Sequence, residues 1–578
     1  MRAKKSKIWN TSGNNEKLIL LLILLFAVII RVYNDPTIPY HYDPGKNIVY
    51  SRAILETFPF FPQFNQYFNL GEYYEYQILF PYIVALMHKL TGISLVDLTA
   101  WSAIMIGSLL VITTYLLSKE IFDNITAALI SSGLIALSKI QLFTYMNYYP
   151  QITGLMLLPL AFVFIIRYLK TKDKKYIVFA SITSGAIILA SYISALVYLP
   201  ILILSLTIYS LIKKDLHIII VLASIITGTL GLISFYLLPI INRHGIEAFI
   251  KGAFDTIFTT KDIPFTNFNF QVSELLLLKT FGFMVLFALV IFILLIIYVL
   301  FKRESIKFQE IKYEHILLFL WILISIVLIE SYRFRPVLWV DRYIEFLDLP
   351  VMIITGYIIY FILNKFKENK YLNSRYTSIL ILILVFSYPS YEVIKHGYRF
   401  GYWNTPNDLD ALNYIESTIP SDALVAAPPG ITSFWVSAIG GVHVLGGESS
   451  QILGEKFDGN SYSDIIINSP NIDEKLDLIR KFGVQYIYIT IRPKIPLLWN
   501  NDYNLNGLRV FTDQKYFQII YEKEGPYISS VYFIKVKEDL IPRYNYPKID
   551  KNVTIYGYLI SVITLISMIG FLLIDRCK

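Results

Sequence analysis

The chain has 578 residues, of which 55% are hydrophobic and only 16% charged, with a mean hydropathy of +0.54, whereas a water-soluble surface needs closer to ~25% charge. That composition excludes an ordinary soluble enzyme and describes a polytopic membrane protein. The net charge is +8, and the single cysteine, Cys577, excludes an intramolecular disulfide and a thiolate metal cluster.

In chain order, a basic tail, Arg2-Ala-Lys-Lys-Ser-Lys7, precedes an apolar run near 18–33. No small-residue cleavage site follows it, so it reads as an uncleaved first span. Arg31 at its outer end reads as a snorkelling anchor. The next loop, about 34–96, opens with Tyr40-His-Tyr-Asp-Pro-Gly-Lys-Asn-Ile-Val-Tyr-Ser-Arg52. Asp43, with His41 two residues before it, is a carboxylate at an apolar boundary, suited to general-base work or to holding a cation. An Asx turn or a helix cap is the plainer account. Farther on, Gly71-Glu-Tyr-Tyr-Glu-Tyr-Gln77 offers Glu72 and Glu75 to a sugar or a cation, and Tyr74 with its neighbours to a stacking face. The same tyrosines suit an aromatic belt at the membrane surface.

About twelve runs are long enough to cross ~30 Å of hydrocarbon: near 18–33, 97–118, 124–139, 149–168, 176–192, 195–212, 216–239, 279–300, 315–331, 346–363, 375–389 and 555–574. The remaining apolar stretch, Ile78–Leu90, decides sidedness. With it laid on the surface, the cytosolic segments hold about 23 Lys and Arg in about 66 residues, against about 10 in about 133 for the outer short loops. The clusters at Arg167–Lys175, Lys213-Lys214 and Lys365–Arg375 then all face the cytosol. This makes 78–90 a surface-lying or re-entrant helix and both termini cytosolic.

The outer loop Lys139-Ile-Gln-Leu-Phe-Thr-Tyr-Met-Asn-Tyr-Tyr-Pro150 contains no carboxylate. A further outer loop covers about 240–278. After the ninth span comes Glu330-Ser-Tyr-Arg-Phe-Arg-Pro-Val-Leu-Trp-Val-Asp-Arg-Tyr-Ile-Glu345, with Arg333, Arg335 and Arg342 at an outer boundary otherwise poor in basic residues. Arginine presents a fixed fork of donors that matches phosphate oxygens, at the depth of a phosphorylated lipid headgroup. Snorkelling, or pairing with Asp341 and Glu345, is the alternative.

Residues 390–550 are numerous enough for a separate extracytoplasmic domain. Helical period at Asn407–Glu416 and Lys475–Lys481 and β-rich runs at Ala423–Ala427, Val484–Thr490, Phe517–Glu522 and Ser530–Val536 predict a mixed α/β unit. The predicted organisation is therefore a multi-span membrane region over 1–389, with outer loops 34–96, 240–278 and 331–345, an α/β domain over 390–550, and a final span with a cytosolic tail over 551–578. Asn552-Val-Thr554 is a glycosylation sequon set against that last span.

No GxxxxGK[ST] segment supports an ATP-driven pump, and neither HExxH nor a His/Cys set at zinc spacing occurs. Ionisable groups gather at the outer ends of helices rather than at mid-membrane depth, which favours chemistry at the outer interface over transport through the centre. No nucleic-acid partner is expected.

Taken together, these pieces resemble a membrane glycosyltransferase of the GT-C class, the fold that uses polyprenyl-phosphate-linked sugars as donors. Asp43-Pro-Gly-Lys with Tyr50-Ser-Arg-Ala-Ile-Leu55 is similar to the Asp-Pro…Arg-x-Ala pattern of that family's first outer loop. The Pro81-containing stretch before Thr91-Gly92 matches its amphipathic segment, and Asp341-Arg-Tyr-Ile-Glu-Phe-Leu-Asp-Leu-Pro350 resembles the start of a late helix. Within the class, Asp408–Glu416, Ala423–Ala427, Ser433–Gly441, Val444–Gly447 and Phe482–Tyr488 follow the order found in oligosaccharyltransferase catalytic subunits. Where those enzymes read the acceptor sequon with Trp-Trp-Asp-Tyr-Gly, this chain has Ala427-Pro-Pro-Gly-Ile-Thr-Ser-Phe-Trp435. The acidic motif of their second outer loop is also missing from 139–150.

The resemblance implies inverting transfer of one sugar at the outer face of a cell membrane. Asp43 would be the base, and Arg342, aided by Arg333 or Arg335, would hold the departing phosphate. His41, Glu72, Glu75 and Tyr74 would bind sugar or acceptor. It implies no cofactor, the two departures arguing against a divalent metal. The partners it implies are a polyprenyl- or dolichyl-phosphate sugar, membrane lipids, and a glycan, lipid or protein acceptor. An oligosaccharyltransferase proper, a lipid-linked-sugar flippase or other transporter, and a non-catalytic envelope protein that docks through its outer domain are the competing readings.

Overall fold

The computed structural model describes residues 13–33, 42–68, 72–73, 77–138, 140–142, 148–257, 311–330, 340–368, 405–429, 431–446, 459–491, 505–524, 530–542 and 551–576. The first helix, α1 (Gly13–Tyr33), exposes Leu18, Leu22 and Ile29 along its outer side. The first loop forms α2 (Tyr42–Thr57), a two-stranded antiparallel ribbon of β1 (Phe64–Asn65) and β2 (Glu72–Tyr73), and α3 (Leu79–Thr91). Because α3 has 13 residues, it spans only about 20 Å, short of the ~30 Å of a bilayer's hydrocarbon.

Next come α4 (Leu95–Phe122), α5 (Ile125–Ala136), α6 (Tyr149–Thr171), α7 (Lys175–Ala190), α8 (Tyr192–Lys213), α9 (His217–Leu232), α10 (Ser234–Ile257), α11 (Tyr313–Glu330) and α12 (Val340–Glu368). Among the described residues, five helices are long and apolar enough to cross a membrane: Leu95–Phe122, Tyr149–Thr171, Tyr192–Lys213, Arg342–Lys365 and Lys551–Leu573. The runs near 124–139, 176–192 and 315–331 form shorter apolar helices. Those near 279–300 and 375–389 lie outside the described residues.

The run near 216–239 is continuous in sequence but is bent by 76° between α9 and α10. The bend follows from bonds to the last helix: Phe235 N–H donates to Ser561 Oγ at 3.1 Å, and Ser234 Oγ donates to the Gly557 carbonyl at 2.8 Å. A backbone N–H given to another helix is lost from the local ladder, which is where apolar helices kink. Elsewhere the helices meet through small residues. A Cβ on Gly356 of α12 would stand 2.2 Å from Ser131 Oγ of α5, so only glycine permits that close crossing.

The C-terminal region contains α13 (Pro406–Thr418), β3 (Leu424–Ala426), α14 (Ile431–Gly440), β4 (His443–Val444), α15 (Gly459–Asn468), α16 (Ile472–Phe482), β5 (Tyr486–Ile491), α17 (Leu505–Arg509), β6 (Phe517–Lys523) and β7 (Ser530–Val536). The final helix is α18 (Lys551–Arg576). The strands form one sheet in the order β4-β3-β5-β7-β6, parallel across β4, β3 and β5, and antiparallel from β5 through β7 to β6. Side chains alternate between the faces of a strand, and the two faces have different neighbours. Leu424, Ala426, Ile487 and Ile489 pack with Ile466, Leu476 and Ile479 of α15 and α16. Val425, Ala427, Tyr488 and Phe533 instead belong to one core continuous with α2, α14 and the membrane helices. The sheet is therefore packed on the membrane region rather than tethered to it. Asp408 joins helix to sheet: it completes the capping box of α13 with Thr405, while its Oδ1 accepts from Thr490 Oγ1 at 2.7 Å and Tyr488 OH at 3.1 Å.

Candidate functional site

The first loop and the sheet region meet along α2. Ile48, Val49, Ala53 and Ile54 are buried, as are the polar Lys46, Asn47 and Ser51. Ser51 Oγ lies 3.0 Å from the Pro81 carbonyl, which ties α2 to the start of α3. On its opposite side α2 carries α14. A Cβ on Gly45 would stand 3.3 Å from Cδ2 and Cε2 of Trp435 and 3.4 Å from Phe434 Cβ. One end of α2 thus lies directly under the Trp435 indole. At the other end, Arg52 Nε and Nη2 donate to the Ala438 carbonyl at 3.1 and 3.0 Å. Asp43 is the second residue of α2, at a helix N-terminus, where the peptide dipole favours a carboxylate.

Trp435 is 1% exposed, and its Nε1 has no hydrogen-bond partner among the described residues. The sheet edge is fastened to the same loop, since Val444 N–H donates to the Tyr67 carbonyl at 2.9 Å and the His443 and Tyr67 rings meet edge to face at 5.1 Å. Burial pulls the His443 imidazole down to about pH 4, so it is neutral at physiological pH. Burial, with the Glu56 carboxylate 2.6 Å from its hydroxyl, holds Tyr67 protonated far above its ordinary range.

The second half of the site is the start of α12, which is held by hydrogen bonds. Gln151, in the first turn of α6, donates from Nε2 to the Arg342 carbonyl at 3.1 Å and to Glu345 Oε2 at 2.5 Å. Gln141 Nε2 donates to the Glu345 carbonyl and to Asp348 Oδ2, both at 3.0 Å, and Ser138 Oγ donates to the same Asp348 oxygen at 2.7 Å. The Arg342 guanidinium lies over the Tyr148 ring, 4.0 Å from its centroid. The same turn of α6 also receives α3, with the Phe80 and Tyr149 rings 5.2 Å apart. The first turn of α6 therefore gathers Arg342 on one side and the first loop on the other.

A cavity of about 750 Å³ opens beside the far end of α2, lined by Arg52, Glu56, Tyr67, His88, Asp97 and Glu416, among others. Leu55, Leu95, Val96 and Ile439 supply its apolar part. Arg52 Nη2 is 3.8 Å from Glu416 Oε1, and Asp97 accepts from Ser94 Oγ at 2.6 Å at the start of α4.

Of the candidates read from the sequence, Asp43 is placed on α2, Glu72 in β2 opposite Asn65, and Arg342 at the start of α12. His41, Tyr74, Glu75, Arg333 and Arg335 lie outside the described residues. Arg31 departs from its expected role. It is 1% exposed, and its Nη1 donates to the Ala27 carbonyl at 3.1 Å, whereas a snorkelling arginine keeps its head in water. Tyr148, Gln151 and Trp435 were not singled out by sequence reasoning. A glutamine in the first turn of an apolar span was the available signal for Gln151, because polar side chains there pair with neighbouring helices.

Residues 77–238 match the model of the family described as dolichyl-phosphate-mannose-protein mannosyltransferase. No match emerges among the curated proteins. Among solved structures, the Archaeoglobus fulgidus oligosaccharyltransferase, tethered to an acceptor peptide with an NVT sequon, is similar over 93% of this chain and 75% of its own, at 15% identity and a TM-score of 0.56. ArnT from Cupriavidus metallidurans, bound to undecaprenyl phosphate, is similar over 92% of this chain and 100% of its own, at 11% identity and a TM-score of 0.56. The arabinofuranosyltransferase AftD from Mycobacteria is similar over 89% of this chain but only 41% of its own, at 11% identity and a TM-score of 0.56. The chain has the GT-C fold of membrane glycosyltransferases. Within that fold, its segment 77–238 carries the pattern of the mannosyltransferase family.

Proposed function

We propose that the protein is a multi-pass membrane enzyme that moves one sugar from a polyprenyl-phosphate donor to an acceptor hydroxyl at the outer face, with inversion and without a metal. The observation that carries the reading is the placement of Arg342: a guanidinium at the mouth of an apolar span, held against Tyr148 at 4.0 Å, within a fold shared with an enzyme solved with undecaprenyl phosphate. About twelve spans with both termini cytosolic, as the placement of Lys and Arg favours, would set this end of α12 and the domain over 390–550 on the outside.

In this reading Asp43 accepts the proton of the attacking hydroxyl as its oxygen bonds to the anomeric carbon. The bond from that carbon to the phosphate oxygen breaks, and the polyprenyl phosphate leaves with the electron pair. Phosphate is a good leaving group, so no acid is required. Arg342, with Arg333 or Arg335, stabilises the charge that develops on it. His41, Glu72, Glu75 and Tyr74 orient sugar or acceptor, and the cavity beside Arg52 receives the more distant part of the acceptor. A divalent cation does not suit the loop over 139–150, which offers no carboxylate.

A second reading, transfer of a whole oligosaccharide to protein, is favoured by the likeness to the Archaeoglobus enzyme. Both are tested by incubating the protein in lipid nanodiscs with radiolabelled polyprenyl-phosphate sugars and a membrane extract, with and without a chelator. Transfer that resists the chelator and is lost in Asp43→Asn and Arg342→Ala supports the proposal. Chelator-sensitive transfer of a whole glycan supports the second reading. Movement of donors between leaflets with no reaction in the wild type overturns both and leaves a flippase.

A further inference from the structure

We infer that Tyr148 and Gln151 form a two-point clamp that sets the position of Arg342, so that affinity for the lipid phosphate is governed from α6 as well as from α12. The inference rests on the phosphate-binding reading of Arg342 proposed above. Tyr148 is the N-cap position of α6 and Gln151 lies three residues on, a spacing that puts both side chains on one face of the helix. Each holds a different end of the same arginine. The Tyr148 ring lies under the guanidinium at 4.0 Å, and the Gln151 amide donates to the Arg342 carbonyl at 3.1 Å.

The clamp closes into a short loop through two non-covalent contacts. From the Tyr148 ring it runs through the Arg342 side chain to its carbonyl, across to the Gln151 amide, and back along one helical turn. Pro150 lies inside that turn, and its fixed φ pre-organises a helix start. Gln151 is 2% exposed and its amide is shared with Glu345 Oε2 at 2.5 Å, so it cannot swing away without leaving a buried carboxylate short of a donor.

Apolar packing alone could fix the start of α12, but it would not fix a guanidinium. An arginine side chain has several soft torsions, and holding them in one rotamer costs entropy that a preformed ring face removes in advance. An aromatic face, unlike a carboxylate, steadies the guanidinium without adding an acceptor that competes with a phosphate for its N–H groups. The segment 139–150, which lacks acidic residues, therefore contributes in Tyr148 a ring that steadies a cation. Tyr148 and Gln151 are positioning residues and need not touch the sugar.

The test measures binding of a fluorescent polyprenyl phosphate to the full-length protein in nanodiscs, together with the donor KM and kcat of transfer. Arg342→Ala is expected to weaken lipid-phosphate binding by about two orders of magnitude, and Tyr148→Leu and Gln151→Leu by about tenfold each. Tyr148→Phe, which keeps the ring, is expected to bind as the wild type does. The decisive arm is the double substitution. In an Arg342→Ala background, Tyr148→Leu should change binding no further, because residues that act through one another do not add. The loss should appear in the donor KM more than in kcat.

Wild-type binding by both Tyr148→Leu and Gln151→Leu, or full additivity with Arg342→Ala, overturns the clamp. Wild-type binding by Arg342→Ala overturns the phosphate-binding reading itself, so the two failures are distinguishable. Thermal unfolding of each variant in the same nanodiscs separates a misfolded preparation from a weak binder. If Tyr148→Leu does not fold, Gln151→Leu carries the same test.

Discussion

The two helices that frame the site are held by opposite means. The start of α2, which bears Asp43, is seated by shape: Gly45 lies under the buried face of Trp435, where a Cβ would be in tight contact at 3.3 Å and a larger side chain would not fit. The start of α12, which bears Arg342, is seated by hydrogen bonds from Ser138, Gln141 and Gln151 to two buried carboxylates and two carbonyls. The difference matches the solvents around them. The α2–α14 junction joins a loop to a sheet, where burying apolar surface is the strong force. The α6–α12 contact joins two apolar spans, whose surfaces gain little from each other over lipid, so polar side chains confer the specificity.

Removing the indole should break the packed junction most severely. Trp435→Ala is expected to cost about 3–5 kcal/mol through lost burial and the cavity left over Gly45, read as a drop in the thermal unfolding midpoint. A loss below about 1 kcal/mol would mean that the junction collapses without strain and is not held by shape.

A pH effect follows at the same junction. His443 titrates near pH 4 in the folded chain against 6.5 ordinarily. Between those values the unfolded chain binds a proton that the folded chain refuses. Stability should therefore fall as pH drops from 6.5 toward 4 and level off below, by up to about 3 kcal/mol. Unfolding followed at several pH values should show this slope in the wild type and lose it in His443→Gln.

Gly45→Leu should cost about 1–3 kcal/mol by overpacking against the indole. Gly45→Ala should be near neutral, because its 3.3 Å contact is offset by the ~1 kcal/mol of helix propensity that alanine gains over glycine. Equal effects from the two substitutions would show that the indole yields freely. Of the disruptive substitutions, the smallest change is expected at the hydrogen-bonded contact. Gln141→Leu should cost about 1–2 kcal/mol and weaken donor binding without altering the pH slope. An effect as large as that of Trp435→Ala would erase the distinction between the two regions.

Much of the architecture was legible along the chain, because its signals are local. Long apolar runs marked the spans that Leu95–Phe122, Tyr149–Thr171 and Tyr192–Lys213 form, and β-rich composition marked β5, β6 and β7. The motif around Asp43 stood out because a carboxylate before Pro-Gly at a span's outer boundary is uncommon on an apolar chain. Other features were not legible. Arg31 looked like an anchor because its neighbours in sequence are apolar, and only the packed helices show that it is buried. The run near 216–239 looked like one span because the groups that bend it, Gly557 and Ser561, come from the far end of the chain.

By itself the sequence determined that this is a many-span membrane protein with helices and strands combined near its C-terminus, and which charged residues stand at helix ends. Those properties depend on composition and period, which need no knowledge of partners. Tertiary structure alone decided that the sheet shares its core with the first loop, that Trp435 roofs the turn bearing Asp43, and that one turn of α6 grips Arg342 at both ends. Each of these is a contact between segments far apart in the chain, and its energy depends on which surfaces meet, a quantity no local pattern encodes.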